Sequence, residues 1–402
     1  MPRLQRLARM ILTASTSRCS AALNSVVASA TTMMMVFATA VLAGENDVVP
    51  KPGEFPAADA GVYLAGELVS VDHVNRRGAI RLVGDNNDDR YHSAPSHRFA
   101  LLPYAQVRYH GAPAELRDIP IGTVLHGTFL LPAEGITNFP PADKNPSRYV
   151  PRQSQVLTLE DDFSFYERQG QAWKILVVDP GKGTLKVTSS GKTVKQGLSG
   201  EQVFEVDAST RVWKGRGLVE LKDLAAGQEV QVNLTWAPEW KNGVFHVADV
   251  WIDPESRDVS REVQRQIHIR QQRTRWLPGW VDHVEHQPGG GGVVTVTLFG
   301  GMDPTLYDAA RAQAKPGGGA SLAAAEWTLR TWWQEHDSKN GPVLDFKETP
   351  NPPPGSSGLQ LRMQFHRLLE GYRPGRIVRL RPNGFPNVKL PPEERINSID
   401  ER

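Results

Sequence analysis

Three stretches of alternating apolar and polar positions, each ending in an acid, recur along the chain at nearly equal intervals. Gly66-Glu67-Leu68-Val69-Ser70-Val71-Asp72 leads through a turn to Gly78-Ala79-Ile80-Arg81-Leu82. Lys174-Ile175-Leu176-Val177-Val178-Asp179 leads through Pro180-Gly181-Lys182-Gly183 to Thr184-Leu185-Lys186-Val187. Gly279-Trp280-Val281-Asp282-His283-Val284-Glu285 leads through Gly289 to Gly292 into Val293-Val294-Thr295-Val296. Alternation with period two predicts strands, and the Gly-rich joins predict hairpins. The acids Asp72, Asp179 and Glu285 share one position in each copy, so the pattern predicts a tandem repeat of about 106 residues.

A second element recurs after each hairpin. Leu116-Arg117-Asp118-Ile119 leads to Gly122 and Val124, Leu221-Lys222-Asp223-Leu224 to Gly227 and Val230, and Leu369-Glu370-Gly371-Tyr372 to Gly375 and Val378. A short turn feeding another alternating strand is the physical reading. Between the copies the pattern changes to helix. Asp253, Pro254 and Glu255 form a strong helix start, and Val259, Val263 and Ile267 recur on one face to about Leu277-Pro278. The stretch after Asp161-Asp162 holds the equivalent place before the second copy. About five short strands per copy predict a mainly β chain of three tandem small β-barrels of the oligonucleotide/oligosaccharide-binding (OB) type, or comparable sandwiches, joined by helices. The third copy is enlarged by an insertion whose Gly/Ala/Pro-rich run 315–325 and Pro-rich run 350–354 read as exposed loops. The expected units are a signal peptide (1–43), a linker (44–60), a first barrel (61–160), helix and second barrel (161–253), helix and third barrel (254–392) and a tail (393–402).

The G-x-V-x-x-V-D hairpin followed by L-x-D-L-x-x-G-x-x-V resembles the tandem small β-barrel domains of secreted bacterial proteins of unknown function. The resemblance covers the first two units well and the third in part. It implies a fold and no catalytic residues.

The N-terminus changes the charge picture. Arg3, Arg6, Arg9 and Arg18 precede an apolar run from about Thr31 to Ala43 with no acid among them, the pattern of a secretory signal cleaved after Ala43. An uncleaved anchor is the alternative, although the run is shorter than the roughly 20 residues of a spanning helix. The whole chain carries 46 basic and 44 acidic residues; cleavage leaves 42 against 44, and removes Cys19, the single cysteine. The mature chain then has no disulfide, no thiol nucleophile and no net positive field of the kind that nonspecific nucleic-acid binding requires.

Candidate chemistry is sparse. The hairpin acids read as turn acceptors of backbone N–H groups, and Asp161-Asp162 as a helix cap. Asp85, Asn87 and Asp89 match the first oxygens of a calcium loop, but Arg90 and Ser96 stand where glycine and the bidentate glutamate belong. His92, His97, His110 and His126, with His283 and His286, carry no zinc-ligand spacing, so no metal or cofactor is expected. Arg257, Arg261 and Arg265 form a helical stripe suited to a polyanion, continued by Arg270, Arg273 and Arg275; Asp258 and Glu262 interleave with it and suit intramolecular pairing. Trp327, Trp332 and Trp333, and a second group of Trp236, Trp240 and Trp251, suit stacking on sugars if exposed. The sequence therefore points to an exported, periplasmic or extracellular, non-enzymatic binding or scaffolding protein of the cell envelope. Its expected partner is an envelope glycan, a polyanion or a protein, met through the tryptophans and the arginine helix. The alternative is a glycan hydrolase or lyase using carboxylates such as Asp282 or Glu285 beside exposed tryptophan.

Overall fold

The computed structural model describes residues 54–386 apart from 58, 74, 83–95, 132–153, 193, 237–244, 314–317 and 325–337. The export segment, the Asp85-Asn87-Asp89 loop, His92, Trp240 and the Trp327, Trp332, Trp333 group lie outside the described residues. Three small closed β-barrels follow one another along the chain.

The first barrel is built from β1 (Val62–Asp72), β2 (Arg77–Leu82), β3 (His97–Tyr109), β5 (Val124–Leu130) and β6 (Ser154–Asp161), with the two-residue β4 (Ala112–Pro113) appended to β3. The order around it is β1-β2-β3-β6-β5 and back to β1, with β3 and β6 parallel. The second barrel repeats this order with β7 (Gln171–Asp179), β8 (Thr184–Gly191), β9 (Glu201–Glu205), β12 (Glu229–Trp236) and β13 (Phe245–Trp251). Here the long third strand is split, so that β9 is followed by β10 (Arg211–Lys214), which pairs with β13 and carries β11 (Gly217–Val219). Five strands in a Greek-key order are the topology of an OB-type barrel.

The third barrel closes differently. Its strands are β14 (Leu277–His286), β15 (Gly292–Phe299), β16 (Gly319–Ala324), β17 (Ser338–Glu348), β18 (Ser356–Phe365) and β19 (Ile377–Pro382), in the order β14-β15-β18-β17-β16-β19 and all antiparallel. β14, β15 and β19 take the places of the first, second and fourth strands of the other barrels, and the insertion supplies the rest of the wall. The 315–325 run is therefore not a loop throughout. Ala320, Leu322 and Ala323 are buried on β16, where small side chains let the strand lie against β17 and β19. The Pro-rich run 350–354 does form the β17–β18 connection.

The repeat is written most clearly in the backbone. Each opening hairpin carries a bulge at the same place, leaving Val69, Leu176 and Asp282 without a cross-strand partner. The residue before each bulge is clamped by the closing turn: Gly122, Gly227 and Gly375 donate to the carbonyls of Leu68, Ile175 and Val281, 2.7–2.8 Å away. These three glycines sit at φ of +98°, +87° and +80°, a backbone that a β-carbon would strain, which is why the motif requires glycine. Asp72 and Asp179 accept from the backbone N–H of Asn75 and Lys182, as turn acids do, whereas Glu285 pairs with Arg362 across the sheet.

Two helices tie the barrels together. α1 (Asp162–Gln169) starts on Asp161, whose carboxylate accepts from Ser164 N–H, and stops at Gly170 in the left-handed region. α2 (Pro254–Arg275) is capped in the same way by Asp253. Its buried face is not the Val259, Val263, Ile267 stripe that the sequence suggests; Val263 is 56% exposed. Ser256, Gln264, His268 and Gln272 are buried instead. Gln264 and Gln271 donate to Asp118, and Gln272 and Arg275 to Glu115, so the helix between barrels two and three lies back on the closing turn of barrel one. A polar face can be buried here because its amide and guanidinium N–H groups donate to carboxylates. Beside it, Leu102, Tyr104, Leu130 and Leu157 of barrel one pack on Trp280 and Phe299 of barrel three, with Phe55 laid over Tyr104 and Trp280.

Candidate functional site

The arginine stripe is consumed inside the molecule. Arg261 reaches Glu167 of α1 at 2.7 Å and Asp258 at 2.5 Å, Arg265 reaches Asp303 at 2.6 Å and Glu262 at 3.2 Å, and Arg257 donates to the Asp253 carbonyl. Asp303 in turn caps the start of α3 (Pro304–Gln313) through Thr305 N–H. Trp251 is buried and donates to Ser260. Asp282 accepts from Thr297 and Gln360, and burial pushes its carboxyl above the usual range. Among the described residues no group of three or more His, Cys, Asp or Glu is placed to hold a metal ion.

The arginines that do converge come from four distant parts of the chain. Arg76 ends the β1–β2 hairpin at φ +53°, which turns its side chain toward β3, and it donates to the Pro103 carbonyl. Arg117 lies in the closing turn of barrel one, beside Glu115 at 3.3 Å. Arg275 is the last residue of α2 and reaches the same carboxylate at 2.7 Å. Arg379 on β19 donates to the Arg275 and Trp276 carbonyls, groups that a helix end leaves without an internal partner. The chain leaves α2 through Trp276 at φ +68°, and this sharp exit brings β14, and with it β19, against barrel one.

Together they line a cavity of about 100 Å³ between barrel one, α2 and barrel three, with His268, Gln272, Tyr104 and Gln106 completing much of its wall. Four guanidiniums act on Glu115. Burial alone would raise the Glu115 carboxyl, but Arg275, Arg117, Arg76 and Arg379 outweigh it and hold it below the ordinary range. Arg379 is pushed down to about 9 by burial first and then by Arg275 and Arg76, with Glu115 opposing. The guanidinium of Arg76 is also lowered, by burial first and then by Arg275, with Glu115 opposing, although the residue as a whole is exposed.

Several polar atoms here have no partner. His268 is 3% exposed and accepts from Asp303 N–H through Nε2, which leaves its Nδ1 as an unpartnered donor; burial holds the ring neutral. The Tyr104 hydroxyl and Arg379 Nε are likewise buried without a partner. So is the Gln272 carbonyl oxygen, whose direction is fixed because the amide nitrogen donates to Glu115. Unpaired buried polar atoms are uncommon in folded proteins and call for an explanation.

No protein-family model, curated protein or solved structure matches the chain.

A second polar cluster joins barrels one and two. Tyr63 Oη and His126 Nδ1 are 2.6 Å apart, and His126 Nε2 lies 2.8 Å from Asp162, whose other oxygen accepts from Leu234 N–H. Burial raises the Asp162 carboxyl, with the His126 hydrogen bond working against it. His126 is stacked on Phe165 at 3.9 Å and is 3% exposed, so the chain of bonds is sealed and acts as a link between barrels. His110, on the same seam, stacks on Tyr109 and meets the edge of Trp251. Burial lowers its imidazole to about 4, with Asp249 opposing and Arg211 reinforcing. The unfolded chain takes up this proton as pH falls through about 6.5 and the folded chain only near 4, so stability is lost over that interval. Comparing urea denaturation at pH 7 and pH 4.5, the parent should lose about 2–3 kcal/mol more than His110→Asn, which tolerates the local φ of +51°. Parallel losses in the two chains would refute this assignment.

Proposed function

We propose that the chain is an exported binding protein of the cell envelope, in which the barrels form a fixed frame around one small-ligand site at the seam of barrel one, α2 and barrel three. The observation that carries this is the seam cavity, lined from three separate elements by Tyr104, His268, Gln272 and Arg379, each of which has a buried polar atom without a hydrogen-bond partner among the described residues. Groups that cost free energy when unpaired are compensated by a ligand that pairs them. The volume supports a small occupant, since sites that enclose drug-sized ligands measure roughly 300–1,000 Å³. Export rests on the basic and then apolar N-terminal sequence, and among the described residues no helix is long and apolar enough to cross a membrane.

The test is a thermal-shift panel of small organic and inorganic anions, envelope glycans, polyanions, Zn²⁺ and Ca²⁺ on the full chain. A ligand present at about 100 times its Kd stabilises by about 2.7 kcal/mol. We expect a clear shift from a small ligand, lost in Arg379→Gln. No shift from any member of the panel would remove this reading.

A further inference from the structure

We propose that the solvent face of α2 pairs with the same face of a second copy of the chain, the two helices running antiparallel about a two-fold axis at Val263.

The amphipathy of α2 is inverted. Gln264, His268 and Gln272 are buried, two of them on the acids of barrel one, while Val259, Val263 and Ile267 run along the side turned away from those acids. Val263 is 56% exposed, and its two neighbours in the stripe are partly buried. β-Branched residues gain nothing from the helix itself, where their propensity is low. Three of them spaced by four residues on the solvent side form a ridge of the kind that packs into the groove of another helix.

Charge then selects the partner. Glu255 and Arg270 are exposed on the same half of the helix, and neither has an ion-pair partner among the described residues. The other charges of this face are engaged within the chain: Asp258 with Arg261, Glu262 with Arg265, and Arg273 with the Gly384 carbonyl. Glu255 precedes Val263 by about 12 Å of helix axis and Arg270 follows it by about 10 Å. An acid and a base at nearly equal distances on either side of a centre are self-complementary under a two-fold axis. In the antiparallel pair Val263 meets its own counterpart, Val259 meets Ile267, and Glu255 meets Arg270 at both ends. Such an isologous contact is the commonest form in soluble homodimers. A parallel pairing would instead set Glu255 against Glu255 and Arg270 against Arg270. One helix face covers less than the roughly 800 Å² per partner of a standard interface, so the dimer is weak and concentration-dependent.

The test is sedimentation velocity of the full chain over a series from about 5 to about 500 µM. The parent is expected to pass from monomer to dimer across the series. Val263→Asp brings two carboxylates together on the axis and should raise the dimerisation midpoint at least about tenfold. Leu218→Asp, at a 58% exposed position on β11, should leave it unchanged. Glu255→Arg and Arg270→Glu, each alone, set like charges against each other and should each weaken the dimer. Mixed one to one, these two variants should associate at about the strength of the parent, because each contact then joins one arginine to one glutamate. A parent that stays monomeric throughout, a dimer indifferent to Val263→Asp, or an equal loss with Leu218→Asp overturns the proposal. A mixture no tighter than either variant alone overturns it too, and leaves the stripe to a different protein or to another segment of this chain. All four substituted positions are exposed, and far-ultraviolet circular dichroism checks that each variant folds. If one does not, the parent series and the remaining variants still decide the matter.

Discussion

Asp161→Ala is expected to lower the stability of the folded chain by about 2–4 kcal/mol, read as a shift of the urea midpoint at unchanged slope. Asp161 is fully buried at the joint between the first two barrels. One oxygen accepts from Ser164 N–H and starts α1; the other accepts from His110 N–H at 3.0 Å and from the Asn233 amide at 2.9 Å. The variant leaves three buried donors without an acceptor, at about 1–3 kcal/mol each when none is compensated. It also relieves the cost of burying a carboxylate, a cost that shows as the upward displacement of its pKa. The first effect is larger because three partners lie on three different segments, and they cannot all move to new acceptors. A variant within about 0.5 kcal/mol of the parent would show that the joint does not depend on this carboxylate.

Trp280→Ala is expected to cost about 3–5 kcal/mol and to split the unfolding transition. Its ring contacts Phe55 at 4.5 Å, Phe299 at 5.4 Å and Tyr104 at 5.5 Å, and these rings belong to the cluster between barrels one and three. The separate cores of those barrels, around Leu68, Ile80 and Phe129 in one and Val281, Val296 and Leu361 in the other, do not include it. Removing it weakens docking while leaving each barrel able to fold. Near-ultraviolet and far-ultraviolet circular dichroism followed through the same urea series should then give separate midpoints in the variant and one in the parent. Coincident midpoints in the variant would mean that the barrels unfold together for another reason.

The hairpins, their closing turns and both helix starts were legible because each is a local rule, in which a glycine must adopt a left-handed backbone or a carboxylate must cap an N–H a few residues away. The same locality explains what was not legible. In α2 the apolar positions Val259, Val263 and Ile267 outrank Gln264, His268 and Gln272 on any hydrophobic reading, yet the glutamines face Glu115 and Asp118, acids some 150 residues earlier. Burial of a polar helix face depends on partners that periodicity does not see. The small residues of β16 gave a loop signal because Ala and Gly are weak strand formers, and the neighbours β17 and β19 supply the pairing instead. The seam cavity draws Arg76, Arg117, Arg275 and Arg379 from a span of about 300 positions, with no common motif. Of these, Arg275 alone stood out as the end of the arginine stripe, and the structure separates it from Arg261 and Arg265, which pair elsewhere.

The return of α2 to barrel one also bears on the order in which the chain can mature. A newly made first barrel closes its own wall once β6 is in place, but Glu115 and Asp118 then face solvent, and they receive Gln264, Gln271, Gln272 and Arg275 only after the second barrel has been synthesised. Domains usually fold as units from the N-terminus during synthesis. Here the first unit reaches its final surface last, when a segment made more than a hundred residues later swings back across it. Excising the first barrel would therefore expose the acids of its closing turn, which α2 covers in the whole chain.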